Sequence, residues 1–282
     1  MYETHWRLRE KPFENTPDPR FLYHSQRHEE ALSRILYAVK ERKGAGLLTG
    51  EYGSGKTLLS RVLLQELSSE RYRTALIFNP RLPTLELIKE IIYRLGGNVS
   101  SLSSKSDLIH YFNQMLYKNM DDNKDTVIVI DEAQAIPEEN SFEELRLLLN
   151  FQLNENFLLT IILLGQPELK ERMKELPQLK QRFAVSYHLT ALAKDETKEY
   201  IQHRLEVAGS KDEIFSVDAL DEIYRFSGGI PRKVNNICDL ALLTGYGTAL
   251  DKISKEMIRE VAEDLEGTPI DREEKTGVKA DG

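Results

Sequence analysis

The sequence predicts an α/β fold: a doubly wound parallel sheet built around a phosphate-binding loop and followed by a small all-helical domain. Three observations predict it. Residues Gly50 to Thr57 read GEYGSGKT, a full GxxxxGK[ST] match lying between an apolar run and an amphipathic helix. Strand-like apolar runs then alternate with helical patterns as far as Leu192, the order expected of βαβ units. Beyond Leu192 the strand signals stop and only helical periodicity continues.

Taken in order, Pro12 to Tyr23 (PFENTPDPRFLY) is rich in proline and aromatic residues and is expected to run extended over the surface of the first domain. His28 to Val39 places Ala31, Leu32, Ile35, Leu36 and Val39 on one helix face. Ala45 to Thr49 (AGLLT) suits a buried strand, and Leu58, Leu59, Val62, Leu63 and Leu67 recur at helical spacing after the loop. Thr74 to Phe78 reads as a second strand, with helices over Leu85 to Leu95 and Leu108 to Tyr117. Thr126 to Ile130 (TVIVI) is apolar throughout, as a parallel strand covered on both faces must be.

Ser141 and Glu144 form a capping-box pattern that opens a helix through Leu149. Phe157 to Leu164 gives a fourth strand ending at Gly165 and Gln166, and Ser186 to Leu189 a short fifth. Helices follow over Glu196 to Val207, Val217 to Phe226, Pro231 to Tyr246 and Lys255 to Leu265. The expected organisation is a nucleotide-binding domain over 1–192, a helical domain over 193–266, and a tail over 267–282 whose lack of apolar anchors predicts disorder.

Composition narrows the function classes. The longest apolar stretch, Phe157 to Leu164, is less than half of the roughly 20 residues that span a bilayer, and the polar amino-terminal residues lack a signal-peptide core, so a cytoplasmic location is expected. Cys238 is the sole cysteine, which excludes an intrachain disulfide and a cysteine-based metal cluster and leaves helix packing as its expected role. His24 and His28 alone among the histidines have the spacing of one helix face, without an acidic partner in a metal motif, so no metal site is expected there. A formal charge of −8 argues against a chain that binds nucleic acid over its whole surface, although a local basic patch remains compatible with it.

The loop carries the most specific chemistry. Its glycines let successive backbone N–H groups converge on phosphate, Lys56 reaches the β and γ oxygens, and Thr57 offers a hydroxyl to Mg²⁺. Asp131 and Glu132 end the most apolar strand. Asp131 is expected to help hold the metal and Glu132 to orient and deprotonate the attacking water. A pair of acids at a strand end also reads as a solvated loop start. Gln166, directly after the fourth strand, reads either as a sensor of the terminal phosphate or as the cap of a helix beginning at Pro167. Arg182 in KQRFAVSYHL and Arg232 in GGIPRKVNN are each candidates to reach phosphate charge, among many surface arginines that do not.

The series PFENTPDPRFLYHSQRHEEAL, LLTGEYGSGKT, IDEAQ, ELRLLLNFQ, LLGQPEL, QRF and GGIPR resembles the ExeA-type ATPases, the general secretion pathway protein A group of the AAA+ proteins. The resemblance covers most of residues 1–265. It implies a sheet ordered 5-1-4-3-2, a helical lid, and ATP with Mg²⁺ bound between neighbouring subunits of a ring-like homo-oligomer. It implies that Gly50, Glu51, Tyr52, Gly53, Ser54, Gly55, Lys56, Thr57 and Leu58 contact the nucleotide, with Asp131 and Arg232. Thr57 and Asp131 then serve the metal, while Glu132, Lys56, Gln166, Arg182 and Arg232 serve hydrolysis. Gln166 takes the first sensor position, Arg182 that of an arginine finger and Arg232 the second sensor. The segment around Phe21, Leu22 and His28 is implied to line the adenine side.

Secretion members of the group continue into a membrane span and a peptidoglycan-binding region, neither of which this sequence contains, so the ATPase half alone is expected. The function implied is ATP hydrolysis that drives assembly of an envelope secretion or pilus system, with any inner-membrane association made through partners. An alternative is an ATP-dependent DNA-binding regulator of the transposition type, with Lys170, Arg172, Lys174, Lys180 and Arg182 lining a groove; the same residues also read as a solvated helical face. A third reading is a nucleotide-gated scaffold that turns over very slowly.

Overall fold

The computed structural model describes residues 1–153 and 156–266, so the tail expected to be disordered lies outside the described residues. The chain divides into two compact units, one formed by Thr16–Ala191 and the other by Met1–Asn15 together with the chain from Leu192 onward.

The first unit holds a five-stranded parallel sheet. Its strands are β1 (Ala45–Gly50), β2 (Tyr72–Ile77), β3 (Asp125–Ile130), β4 (Leu159–Gly165) and β5 (Phe183–Leu189). They are ordered β2-β3-β4-β1-β5, the 5-1-4-3-2 order read from the opposite edge. Register aligns the carboxyl ends: Thr49 lies opposite Gly165, Gly50 opposite Leu189, and Ile130 opposite both Ile77 and Leu163.

Two apolar layers explain why β3 and β4 read as unbroken hydrophobic runs. Ile128, Ile130, Ile161 and Leu163 point into one layer, with α3 (Thr84–Arg94), α4 (Lys105–Asp121), α5 (Glu139–Leu148) and α6 (Pro167–Glu175). Val127, Val129, Ile162 and Leu164 point into the other, with α1 (Gln26–Lys40) and α2 (Lys56–Glu66). Each successive side chain changes face, and both faces are covered. The single turn α7 (Pro177–Lys180) leads into β5.

Local expectations are corrected in three places. The fourth strand starts at Leu159 rather than Phe157, because Phe157 pairs with Gln152 in a short antiparallel hairpin and sets its ring against Gly44. The helix expected from Ser141 starts at Glu139. Ser141 is buried in its first turn, with its hydroxyl 2.9 Å from Thr84 Oγ1, and Glu144 pairs with Lys105, so both capping-box residues are taken by tertiary partners. Within the segment expected to be extended, Pro19–Phe21 forms one 3-10 turn, capped by the Asp18 carboxylate.

The second unit contains α8 (Lys194–Val207), α9 (Val217–Ser227), α10 (Pro231–Gly247) and α11 (Lys255–Glu266). Ser216 caps α9, and Pro231 sits where a helix start tolerates proline. Met1–Asn15, assigned from sequence to the nucleotide-binding domain, packs instead with these helices. Tyr2, Trp6 and Phe13 are buried, and Trp6 Nε1 donates to the Leu242 carbonyl at 2.9 Å. Arg204, buried on α8, donates to the carbonyls of Pro12 and Glu14 and to the Tyr200 hydroxyl, so one guanidinium clasps the segment from inside. The segment adds large aromatic side chains to the interior of this unit. Cys238 is buried in α10, where desolvation pushes its thiol well above its usual range.

Candidate functional site

The loop after β1 and the start of α2 are shaped by backbone that only glycine adopts easily. Gly53 and Gly55 have φ of 81° and 102°, and a Cβ on Gly55 would stand 3.0 Å from His28 Nε2. His28 is buried on α1, with Nε2 3.1 Å from the Ser54 carbonyl and Nδ1 2.7 Å from Ser25 Oγ. Since a carbonyl only accepts, Nε2 carries the proton and the ring props the loop. His24 precedes α1 and pairs with Glu29, so the two histidines share no helix face.

Lys56 is buried, and its Nζ donates to the carbonyls of Gly50 and Glu51 at 2.8 Å each, which holds the ammonium inside the loop's curve. Ser54 Oγ is buried without a protein partner, a hydroxyl left over for a ligand oxygen. Glu51 and Tyr52 are exposed on the loop, and Leu58 is partly buried one residue into α2 beyond Thr57. This donor set, a lysine, a serine hydroxyl and the amino end of an eleven-residue helix, suits a polyphosphate.

Across the sheet edge, Thr57 Oγ1 donates to Asp131 Oδ2 at 2.6 Å, and the Glu132 N–H donates to Asp131 Oδ1 at 2.9 Å. Burial pushes the Asp131 carboxyl above its ordinary value; the Thr57 hydroxyl, the Glu132 N–H and Lys56 pull it back, while Glu132 adds to the rise. A hydroxyl and a carboxylate in contact are hard oxygen ligands that fit Mg²⁺ shared with substrate phosphates. Among the described residues no three His, Cys, Asp or Glu side chains cluster as a self-sufficient metal cage.

Glu132 adopts a left-handed backbone, φ 51° and ψ 38°, unusual for a non-glycine residue. Its carboxylate accepts from Gln166 Nε2 at 3.1 Å and from the amide of Gln134. Gln166 thus points its side chain at Glu132 and makes no side-chain cap on α6. Sequence reasoning missed Gln134 and Arg172. Arg172, assigned from sequence to a groove or a solvated face, donates to the Gln134 and Ile136 carbonyls at 3.0 and 2.6 Å and lies 4.7 Å from the Phe142 ring centroid. A glutamine two residues after an acidic pair was the only available hint.

Arg182 stands apart from this cluster. Arg182 immediately precedes β5 and donates to Asn150 Oδ1 at 2.8 Å. Phe183 pairs with Ala45 at the start of β1, whereas the loop leaves from its end, so Arg182 lies a strand length, roughly 20 Å, from its own phosphate loop. Arg232 is the second residue of α10 in the helical unit.

Comparison with known proteins agrees with this architecture. The AAA domain family matches residues 39–173. General secretion pathway protein A of Aeromonas hydrophila is 38% identical over 95% of this chain, and the chain spans 49% of that relative's length. Among solved structures, the Aeropyrum pernix ORC2 protein, determined as ADPNP–ADP complexes, matches with TM-score 0.70 at 17% identity, covering 90% of this chain and 71% of that one. Cdc6p from Pyrobaculum aerophilum matches with TM-score 0.69 at 15% identity, covering 87% and 70% respectively. No helix among the described residues is long and apolar enough to cross a membrane.

Proposed function

We propose that this chain, which matches the AAA domain family over residues 39–173 and is similar to general secretion pathway protein A, is an Mg²⁺-dependent ATPase whose sites are completed between subunits of a homo-oligomer. The observation that carries the reading is the meeting of Lys56, Thr57, Asp131, Glu132 and Gln166 at the carboxyl end of one sheet. Lys56 and the loop N–H groups hold the β and γ phosphates. Thr57 and Asp131 hold Mg²⁺, which when bound neutralises phosphate charge. Glu132 accepts a proton from water as the water oxygen bonds to the γ-phosphorus. The bond from that phosphorus to the β–γ bridging oxygen breaks, and ADP leaves with the electron pair. Gln166 holds the attacking water and the terminal phosphate in line.

The distance of Arg182 from its own loop supports a role on a neighbouring subunit's ATP, and Arg232 serves as a second phosphate sensor. We assign the work driven by hydrolysis to assembly of an envelope secretion or pilus system, on the likeness to general secretion pathway protein A. The inward turn of Arg172 removes the middle of the basic groove that a DNA-binding reading needs.

Steady-state ATPase assays over a wide protein range test the shared site. Specific activity rises with protein concentration, and Arg182→Ala lowers it by about 10³ at constant ATP affinity. A specific rate independent of concentration, together with an unaltered Arg182→Ala, would overturn the assignment to a neighbour's site.

A further inference from the structure

The amide of Gln134 does two things at once. Its nitrogen donates to Glu132 Oε2, and its oxygen accepts the backbone N–H of Gln166 at 3.1 Å. Gln166 returns a second donor to the same Glu132 oxygen at 3.1 Å. Gln134, Glu132 and Gln166 therefore close a ring of three hydrogen bonds that joins the end of β3 to the end of β4.

The surroundings are built for this ring. A Cβ on Gly165 would stand 2.6 Å from Gln134 Oε1, so the amide lies against the backbone of β4 only because that residue is glycine. The 3-10 turn Ala133–Ala135 that carries Gln134 is fastened from behind by Arg172, through the carbonyls of Gln134 and Ile136. Glu132 itself holds a left-handed backbone that persists where neighbours over-determine it. A glutamate side chain attached to such a backbone has several rotamers, and the two amides select one.

We propose that Gln134 is a positioning residue for ATP hydrolysis: it fixes the Glu132 carboxylate and ties its placement to Gln166. Glu132 and Gln166 then respond together, so a shift of Gln166 on meeting the terminal phosphate is passed to the base through the Gln134 amide. This inference rests on the ATPase reading above.

Two variants of the full chain separate the parts. Gln134→Glu has the same shape and keeps an oxygen for the Gln166 N–H, but it removes the donor to Glu132 and sets a second carboxylate against it. Gln134→Leu removes both polar ends. Each lowers kcat by at least about tenfold, while KM for ATP and the affinity for ADP stay within about twofold. A residue that merely supports the fold would instead weaken ADP binding along with turnover.

If Gln134→Glu turns over like wild type, or if kcat and ADP affinity fall in parallel, the inference is overturned while the ATPase reading stands. A wild-type chain that binds ATP with Mg²⁺ and shows no single-turnover cleavage overturns the ATPase reading itself. Gly165→Ala supplies an independent check by pressing on the same amide from β4, and a wild-type kcat in that variant also counts against the ring.

Discussion

Asp125 opens β3 and Asp131 follows its last residue, so one strand carries a buried carboxylate at each end, and only the first is met by arginines. Asp125 lies 2.5 Å from an Arg42 guanidinium nitrogen and 3.8 Å from Arg71 Nε. Asp131 is approached by a hydroxyl and a backbone N–H, while Lys56, the cation whose charge acts on it, donates its Nζ to two carbonyls. The amino end of the sheet neutralises its own charge. The carboxyl end leaves one incompletely compensated, and burial raises that carboxyl above its ordinary value. The contrast supports the proposed role of Asp131 toward a ligand cation.

The sharpest way to break this comparison is to neutralise each acid in turn. Asp131→Asn lowers Mg²⁺-dependent ATP turnover by about 10³ and does not lower the melting temperature of the nucleotide-free protein, since it relieves an incompletely compensated buried charge. Asp125→Asn leaves turnover unchanged and costs about 1–2 kcal/mol in urea unfolding, because two partly exposed arginines lose their buried partner. The reverse pattern, with a stability loss at 131 and an activity loss at 125, would erase the distinction between the two ends.

A third acid extends the comparison to the helical unit with a smaller effect. Glu222 on α9 is buried, 2.6 Å from both Arg225 and Arg259. Burial would raise its carboxyl, but the hydrogen bonds from Arg259 and Arg225 outweigh that and hold it below the ordinary value. A carboxyl depressed on folding contributes stability that is fully present above its unfolded value and is lost as pH falls through its folded value. Glu222→Gln therefore costs about 1 kcal/mol near neutral pH, and its difference from wild type narrows below about pH 4, as followed by urea melts across pH. A difference that widens on acidification would assign Glu222 to the unpaired kind.

Much of this was legible in the residues. The strands β1, β3 and β4 announce themselves because both faces are covered, which forces unbroken apolar runs, and the loop from Gly50 to Thr57 is read from spacing alone. Asp131 and Glu132 follow from being polar where such a run stops. The N-terminal half of β5 was not legible, because Phe183 to Val185 alternate between partly buried and exposed positions at a sheet edge and their short apolar run breaks off at Ser186. Gln134 and Arg172 were hidden for another reason: their roles depend on a 3-10 turn whose partners come from β4 and α6. Ser141 shows the opposite failure, a local signal overruled by a neighbour 57 residues away.

The clasp of Met1–Asn15 on the helical unit also sets an order of events during synthesis. Trp6 and its Leu242 acceptor are separated by 236 positions, and at ribosomal speed that interval lasts roughly 10–50 s. For most of it Trp6, Phe13 and Tyr2 have left the tunnel while α10 is still incomplete. The whole α/β unit is made in the meantime, so these aromatic residues wait beside a folding neighbour before their own interior exists. The helical unit is thus discontinuous in time as well as in sequence, and a nascent chain halted after β5 presents three unhoused aromatic side chains to whatever attends the ribosome exit.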